Sequence, residues 1–285
     1  LAKEKDCELI IGTDPDADRC GVVVKNGTEY RALTGNQIGV LLLDYLITVR
    51  KNKGILPENA AAVKSIVTTP MANRICEMNG VAVKEVFTGF KFIGEKIKEF
   101  EETGEYTFIF GFEESIGFLA GTYARDKDAV VASMLIAEMG CYYRNRGMNL
   151  VDALNALYQK YGYYKEETTS VMFDGFDATE KMHARMNGLR KDGITSIGLP
   201  VRRIRDYKMQ RIQDLATGET LPTGMEQSDV LFYELDSSCN LAIRPSGTEP
   251  KMKVYVMAQG SSAEEADQNL QLIRNGILQI LKDEK

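Results

Sequence analysis

The first 161 residues alternate between short apolar runs and longer segments with helical periodicity. The helical segments repeat apolar residues at spacings of three and four, and one of them begins near residue 90. The strand-like apolar runs lie at residues 9–11, 22–24, 63–67, 81–86 and 108–110. Strands that alternate with helices predict a mixed-sheet α/β domain with helices covering both faces.

Local signals set several boundaries in this part of the chain. An Asn-Gly pair at residues 26–27 predicts a hairpin that joins strands at residues 22–24 and 29–33. Thr34 and Gln37 have the spacing of a capping box and predict a helix that starts just after Thr34. Residues 128–161 are predicted to be helical, with a break at residues 147–149.

The pattern changes after about residue 163. A short polar passage at residues 164–168 is predicted to be a hinge, followed by a strand at 170–173 and a helix at about 178–189. Several β segments come next, and a final helix begins at Ser262. Its predicted buried stripe consists of Leu270, Ile273, Ile277, Ile280 and Leu281. We expect a smaller α+β domain here.

Composition excludes several classes of protein. Of the 285 residues, 44% are hydrophobic and 27% are charged, which is ordinary for a globular protein. A net charge of −6 argues against an electrostatic nucleic-acid or membrane partner, and no apolar run reaches ~18 residues. The five scattered cysteines include no C-x-x-C pair, so a zinc site or disulfide framework is not indicated and the cytoplasm is the expected location.

Three carboxylates and an arginine share one short loop, residues 14–19, which we call the aspartate loop. Asp14, Asp16 and Asp18 occupy alternate positions, so they can converge on one small ion if the backbone curls around it. Mg²⁺ accepts few carboxylates together with water or phosphate oxygens. Arg19 can hold a phosphate with two parallel hydrogen bonds. The loop indicates phosphate chemistry at a hard metal ion.

The aspartate loop has three other interpretations. A solvated acidic turn is the simplest of them. A calcium-binding EF-hand needs Gly at its sixth position and Glu at its twelfth, where this chain has Arg19 and Lys25, so it is excluded. A phosphatase that uses Asp14 as its nucleophile stays open.

Two further loops carry polar groups next to predicted strands. Residues 111–117 follow a strand, and Glu113 and Ser115 can hydrogen-bond sugar hydroxyls there, although an acidic helix start is an alternative. Residues 244–251, which we call the arginine loop, lie between strands. An ordinary turn is the alternative to a phosphate cradle in that loop. The cradle would be formed by Arg244, Ser246, Gly247 and Thr248.

Together and in this order, the three loops resemble those of the α-D-phosphohexomutase superfamily, the phosphoglucomutases and phosphomannomutases. Asp14 to Arg19 resembles its metal loop, Glu113 to Ser115 its sugar loop, and Arg244 to Thr248 its phosphate loop. A fourth segment, residues 88–92, resembles a substrate-contacting segment of the phosphoglucomutases. The resemblance extends over essentially the whole chain.

The resemblance implies a division into residues 1–28, the end of domain 2 with the metal loop; 29–162, the sugar-binding domain 3; and 163–285, the phosphate-binding domain 4. It also implies Mg²⁺ as the cofactor and a phosphosugar as the substrate. The substrate would be bound by Thr88, Gly89, Glu113 and Ser115. Arg19 and Lys91 would stabilise the transferring phosphoryl group.

One motif of the superfamily is absent, the T-x-S-H-N-P-like loop that carries the phosphoryl group on serine. We therefore expect a C-terminal part of a longer mutase whose partners are the N-terminal domains of the same chain, and we expect these 285 residues alone to be inactive. The implied reaction interconverts glucose 1-phosphate and glucose 6-phosphate. Phosphomannomutase, phosphopentomutase, a non-catalytic sugar-phosphate-binding module and a Mg-dependent phosphatase are the alternatives.

Overall fold

The computed structural model describes residues 1–282 and divides the chain into two compact units. The first unit is Leu1–Tyr161, and the second unit is Gly162–Lys285. Within the described residues, no helix combines the length and the apolar character needed to cross a bilayer. The assignment of residues 1–28 to the end of domain 2, of 29–162 to domain 3 and of 163–285 to domain 4 stays a prediction.

The first unit contains two sheets and the helices that cover them. Its strands are β1 (Leu9–Thr13), β2 (Cys20–Asn26), β3 (Glu29–Leu33), β4 (Ala60–Ser65), β5 (Ala82–Val86), β6 (Thr107–Glu113) and β7 (Gly117–Leu119). Its helices are α1 (Gly35–Asn52), α2 (Met71–Asn79), α3 (Phe90–Thr103), α4 (Ala129–Arg144) and α5 (Leu150–Tyr161).

Strands β1, β2 and β3 form an antiparallel sheet in that order. The predicted Asn-Gly hairpin is confirmed, because Asn26 pairs with Glu29 and Gly27 has a φ of 64°. Gly27 adopts this left-handed conformation without the strain that a Cβ would bring. The aspartate loop joins β1 to β2, so the two antiparallel strands hold both of its ends.

The second sheet of this unit has the order β5-β4-β6-β7, with β4 parallel to β5 and to β6. Parallel strands bring their carboxyl ends to one edge, and the loops after β4, β5 and β6 all start there. Helix α1 begins as predicted, because Thr34 and Gln37 form the capping box. Helix α1 packs on Phe112, since a Cβ at Gly39 would lie 2.1 Å from the Phe112 ring.

The predicted boundary between strand and loop at residues 110–111 was wrong. Strand β6 continues through Glu113, and only residues 114–116 turn the chain into β7. Gly111 was interpreted as part of a loop, but it lies in the strand where a Cβ would come 2.8 Å from Ile93 of α3. Its role is close packing. We call residues 113–117 the acidic turn.

The second unit is built on one antiparallel sheet. Its strands are β8 (Tyr163–Met172), β9 (Ser196–Ile197), β10 (Leu199–Asp206), β11 (Arg211–Asp214), β12 (Thr220–Pro222), β13 (Leu231–Leu235), β14 (Asn240–Pro245) and β15 (Lys251–Gly260). Its helices are α6 (Ala178–Lys191) and α7 (Ala263–Lys282), with a 3-10 turn at Asp236–Ser238. The strand order is β12-β11-β10-β13-β14-β15-β8, and β9 pairs with β10.

Helix α7 confirms the predicted stripe. Leu270, Ile273 and Ile277 are buried in the core, while Ile280 and Leu281 pack against its margin. The cap is also confirmed, because Ser262 Oγ accepts a hydrogen bond from the Glu265 amide. The mixed-sheet α/β architecture and the α+β character of the second unit are as predicted.

The predicted hinge at residues 164–168 was wrong. These residues belong to β8, whose whole length pairs with β15 from Tyr163–Gly260 to Met172–Lys251. Strand β8 is at the edge of the sheet and has several half-buried polar side chains. Polar residues on such a strand resemble a linker in sequence, although backbone hydrogen bonds hold them in place.

Candidate functional site

The aspartate loop brings its three carboxylates together. Ligand oxygens of Asp14, Asp16 and Asp18 all lie within 4.8 Å of one another, close enough to share one ion. Ala17 adopts a left-handed φ of 55°, which curls the backbone between the second and third aspartates. A set of carboxylate oxygens at this separation fits a small hard cation.

Backbone hydrogen bonds fix the first aspartate of this loop. Asp14 Oδ1 accepts hydrogen bonds from the amides of Asp18 at 3.1 Å and Arg19 at 3.0 Å. The Arg19 amide is the largest cause that holds the pKa of Asp14 below its ordinary value. Asp14 is therefore anionic at neutral pH, as a ligand for a divalent cation must be.

The aspartate loop contacts the acidic turn. Arg19 forms a β-bridge with Gly117, and the Cys20 amide donates to the Ile116 carbonyl at 3.1 Å. The aspartate loop also contacts α4, because the Ala17 carbonyl accepts a hydrogen bond from the amide of Ala129 at the start of that helix. These backbone contacts place two of the sequence-predicted loops side by side within the first unit.

The acidic turn also meets the segment that follows β5. Glu113 is buried, and its Oε1 accepts a 2.7 Å hydrogen bond from the Gly89 amide. Burial raises the pKa of Glu113 above its ordinary value, while the Gly89 amide acts in the opposite direction. Thr88 is half-buried beside Gly89, and Ser115 is exposed at the tip of the turn.

The two predicted cations of this unit are exposed. Lys91 lies in the first turn of α3, and its Nζ is 4.7 Å from the centre of the Phe92 ring. Arg19 is exposed at the end of the aspartate loop. Both side chains are therefore accessible to a bound anion.

A lysine that is not among the predicted site residues also contacts the aspartate loop. Lys127 Nζ lies 2.9 Å from Asp18 Oδ2 and 2.9 Å from Asp126 Oδ1, and its side chain is only 11% exposed. Although burial acts against the charged form, the two carboxylates raise the pKa of Lys127 above its ordinary value. The side chain of Lys127 packs directly against Gly117, because a Cβ at that glycine would lie 2.4 Å from Lys127 Cδ.

The arginine loop belongs to the second unit and turns between β14 and β15. Arg244 Nε donates to Tyr255 Oη at 3.1 Å, which holds the guanidinium beside the sheet. Ser246 Oγ and Thr248 Oγ1 lie 3.5 Å apart, while Gly247 is exposed and has no atom within 4 Å of its Cβ position. The loop thus gathers one guanidinium, two hydroxyls and an open backbone, which suits an oxyanion.

Two further polar residues lie in the second unit. His183 is exposed on α6. Lys251 of the arginine loop forms an ion pair with Glu249. The assignment of the candidate residues to a metal, sugar or phosphate stays a prediction.

Most of the chain is similar in sequence to known proteins. Residues 34–161 match a family model described as the alpha/beta/alpha domain III of phosphoglucomutase/phosphomannomutase. The chain is 33% identical over 273 residues to a phosphoglucomutase of Staphylococcus saprophyticus and 36% identical over 258 residues to one of Staphylococcus aureus. The alignments cover 95% and 90% of this chain but 49% and 46% of those proteins. The chain thus spans about half the length of the curated relatives it matches.

Solved structures give the same fold. A phosphoglucomutase from Paramecium, pp63/parafusin in its open form, superposes with a TM-score of 0.64 at 17% identity over 96% of this chain and 45% of that one. A phosphoglucomutase/phosphomannomutase family protein from Burkholderia thailandensis superposes with a TM-score of 0.57 at 15% identity over 99% and 49%.

These likenesses define an α/β protein with the fold of the hexose-phosphate mutases. Residues 34–161 belong to the domain III family of phosphoglucomutases and phosphomannomutases. Over 90% or more of its length, the chain is also homologous to curated phosphoglucomutases.

Proposed function

We propose that this chain supplies the metal-, sugar- and phosphate-binding parts of a phosphohexomutase, an enzyme that moves a phosphoryl group between two hydroxyls of a hexose phosphate. The observation that carries the proposal is the contact between the aspartate loop and the acidic turn within the first unit. Metal-binding and hydroxyl-binding groups must be neighbours if a phosphoryl group is to pass between an ion and a sugar. The name shared by the curated relatives, phosphoglucomutase, supports glucose phosphates as substrates.

The aspartates would hold Mg²⁺, the cofactor that suits their donor set. Three carboxylates within 4.8 Å, one of them fixed by two backbone amides, fit a hard divalent cation. When bound, Mg²⁺ supplies positive charge that polarises phosphoryl oxygens. The hydrogen bonds to Asp14 Oδ1 do not occupy Oδ2, so the phosphatase alternative, with Asp14 as the nucleophile, stays open.

The remaining residues bind and orient the substrate. Glu113 and Ser115 accept or donate hydrogen bonds at sugar hydroxyls, and Gly89 keeps the Glu113 carboxylate in place. Arg19 and Lys91 stabilise the charge of the transferring phosphoryl group, and Lys127 adds a cation beside Asp18. Arg244, Ser246, Gly247 and Thr248 hold the phosphate that does not react.

The reaction proposed is the interconversion of glucose 1-phosphate and glucose 6-phosphate through a phosphoserine and a bisphosphate intermediate. The serine would come from the part of the relatives that this chain does not span. On this proposal the 285 residues bind Mg²⁺ and sugar phosphate but do not turn over.

Calorimetric titration of the purified chain tests the proposal. We expect Mg²⁺ to bind, and we expect Asp16→Asn to weaken that binding by about tenfold or more, because one of three ligands loses its charge. Asp174→Asn, at an exposed aspartate of the second unit, is the matched control and should bind Mg²⁺ as the unmodified chain does. Equal binding by both variants would place the ion elsewhere.

A second titration, with glucose 1-phosphate, tests the sugar-binding part. Binding should weaken in Glu113→Gln and in Arg244→Ala, which act in different units. Absence of binding to the unmodified chain contradicts the proposed substrate, and rapid formation of glucose 6-phosphate by the chain alone contradicts its expected inactivity.

A further inference from the structure

The carboxylate of Glu114 contacts two buried hydroxyl groups below the acidic turn. Ser65 Oγ lies 3.3 Å from Glu114 Oε2, and Thr68 Oγ1 lies 3.5 Å from the same oxygen. The two hydroxyls are 2.7 Å apart, and both residues are 0% exposed. Each hydroxyl has a single proton, so one donates to the other and the second donates to the carboxylate.

A buried lysine fixes the turn that carries these hydroxyls. Lys64 is 2% exposed, and its Nζ donates to the Thr68 carbonyl at 3.0 Å and lies 3.4 Å from the Ser65 carbonyl. The same ammonium forms a 3.0 Å ion pair with Glu85. A cation buried among carbonyls and a carboxylate is costly to move, so residues 65–68 form a rigid support.

The backbone of Glu114 is confined from another side by α1. A Cβ at Gly35 would lie 2.1 Å from the Glu114 carbonyl oxygen and 2.7 Å from the Ile116 amide, so the helix start touches the turn directly. Ile116 is held at a φ of 57°, a left-handed conformation that is unfavourable for a β-branched residue. A turn of this shape needs contacts that hold it, and Glu114 supplies them at its centre.

The neighbours of Glu114 have a different environment. Glu113 is directed to the Gly89 amide, and Ser115 is exposed. The side chains of successive strand residues point to opposite faces of the sheet, which allows Glu113 and Glu114 to contact different partners. Nothing in the proposed function uses Glu114, Ser65 or Thr68.

We propose that Glu114 is a positioning residue: anchored by the hydroxyls of Ser65 and Thr68, it sets the orientation in which the acidic turn presents Glu113 and Ser115 to a sugar. This inference rests on the proposed function, because it assigns a support to the sugar-binding turn of that proposal.

Two substitutions of Thr68 separate positioning from general stability. Thr68→Val keeps the shape of the side chain but removes the hydroxyl. Thr68→Ser keeps the hydroxyl but removes a buried methyl group and leaves a small cavity. A merely structural role would weaken sugar binding in proportion to the loss of stability in both variants. A positioning role weakens binding only where the hydroxyl is lost.

We expect Thr68→Val to lower the affinity for glucose 1-phosphate about tenfold, which corresponds to about 1.4 kcal/mol. Thr68→Ser should stay within about twofold of the unmodified chain. Inorganic phosphate is the control ligand, since the arginine loop that would bind it lies in the second unit, and its affinity should be unchanged in both variants.

Amide hydrogen exchange provides a readout that needs no ligand. Residues 114–117 should exchange faster in Thr68→Val and in Glu114→Ala but not in Thr68→Ser. Equal exchange in Thr68→Val and Thr68→Ser overturns the inference, and so does faster exchange with unchanged sugar affinity.

Failure of the proposed function has a different signature. The unmodified chain would then fail to bind glucose 1-phosphate, while the exchange difference between Thr68→Val and Thr68→Ser would still be observed. That pair of results overturns the sugar-binding role, and with it the positioning role, yet retains the hydroxyl contacts as a structural support.

Discussion

Replacement of Gly35 by alanine tests the contact between α1 and the acidic turn most directly. The Cβ would lie 2.1 Å from the Glu114 carbonyl oxygen, whereas ordinary van der Waals contact begins at 3.4 Å. The opposing atoms are backbone, so no side-chain rotation can relieve the overlap. Either the helix start or the turn must move by about 1 Å, and overpacking of this kind costs about 1–3 kcal/mol.

The expected consequence is a loss of both stability and sugar binding. Alanine gains up to about 1 kcal/mol over glycine in a helix interior and less at the first helical position, which Gly35 occupies, so the net loss should be up to about 2–3 kcal/mol. A shift of the turn by this distance also breaks the Ser65 and Thr68 contacts to Glu114, which are already 3.3 and 3.5 Å long. Affinity for glucose 1-phosphate should fall, and the aspartate loop should still bind Mg²⁺.

The assay is amide hydrogen exchange, because it reports the two units separately. Gly188→Ala is the matched control: this glycine also lies in a helix, and the atom nearest to its Cβ position is 4.0 Å away. We expect Gly188→Ala to slow exchange in the second unit and Gly35→Ala to speed it in the first. Unchanged exchange in α1 and in residues 114–117 of Gly35→Ala would refute the inferred contact.

Further predictions concern titration, anion binding and thiol reactivity. Burial raises the pKa of Glu113, so the folded first unit binds a proton at this carboxylate more tightly than the unfolded chain does. The free energy of unfolding should therefore rise as the pH falls from neutral towards the ordinary pKa of glutamate. Unfolding measured as a function of pH should show this rise in the unmodified chain but not in Glu113→Gln. Arg244→Lys should bind inorganic phosphate more weakly than the unmodified chain but more tightly than Arg244→Ala in calorimetric titration, because lysine keeps the charge and loses the two-pronged geometry. Native alkylation followed by mass spectrometry should label the exposed Cys141 well before Cys76, whose pKa burial raises to about 12.

Much of the local structure was predictable because single residues determine it. Thr34 and Gln37 cap α1 through contacts three residues apart, and Gly27 turns a hairpin whose strands follow immediately. The proximity of Gly89 and Glu113 could also be predicted from the sequence, since parallel strands end at one edge of a sheet.

Other features depend on partners that are remote in the sequence. Ser65 and Thr68 reach Glu114 across 49 and 46 residues, and nothing in their own segment distinguishes them from ordinary turn residues. Lys127 stands among alternating charges at residues 125–128, a pattern that equally describes side chains paired with one another in solvent. Ser65 is the last residue of the parallel strand β4, at the edge of the sheet that bears Glu113, and this position is the one signal that could have indicated it.

The opposite directions of Glu113 and Glu114 have a consequence for how β6 can change in length. Inserting one residue before the turn would bring Glu113 to the hydroxyls of residues 65 and 68, and it would move Glu114 away from them. Deleting one residue would bring Glu114 to the Gly89 amide and would place Ser115 at the two hydroxyls. A change of two residues would return each acid to its own face of the sheet but would move both away from their present partners. The two pairings therefore fix the length of β6 to the residue.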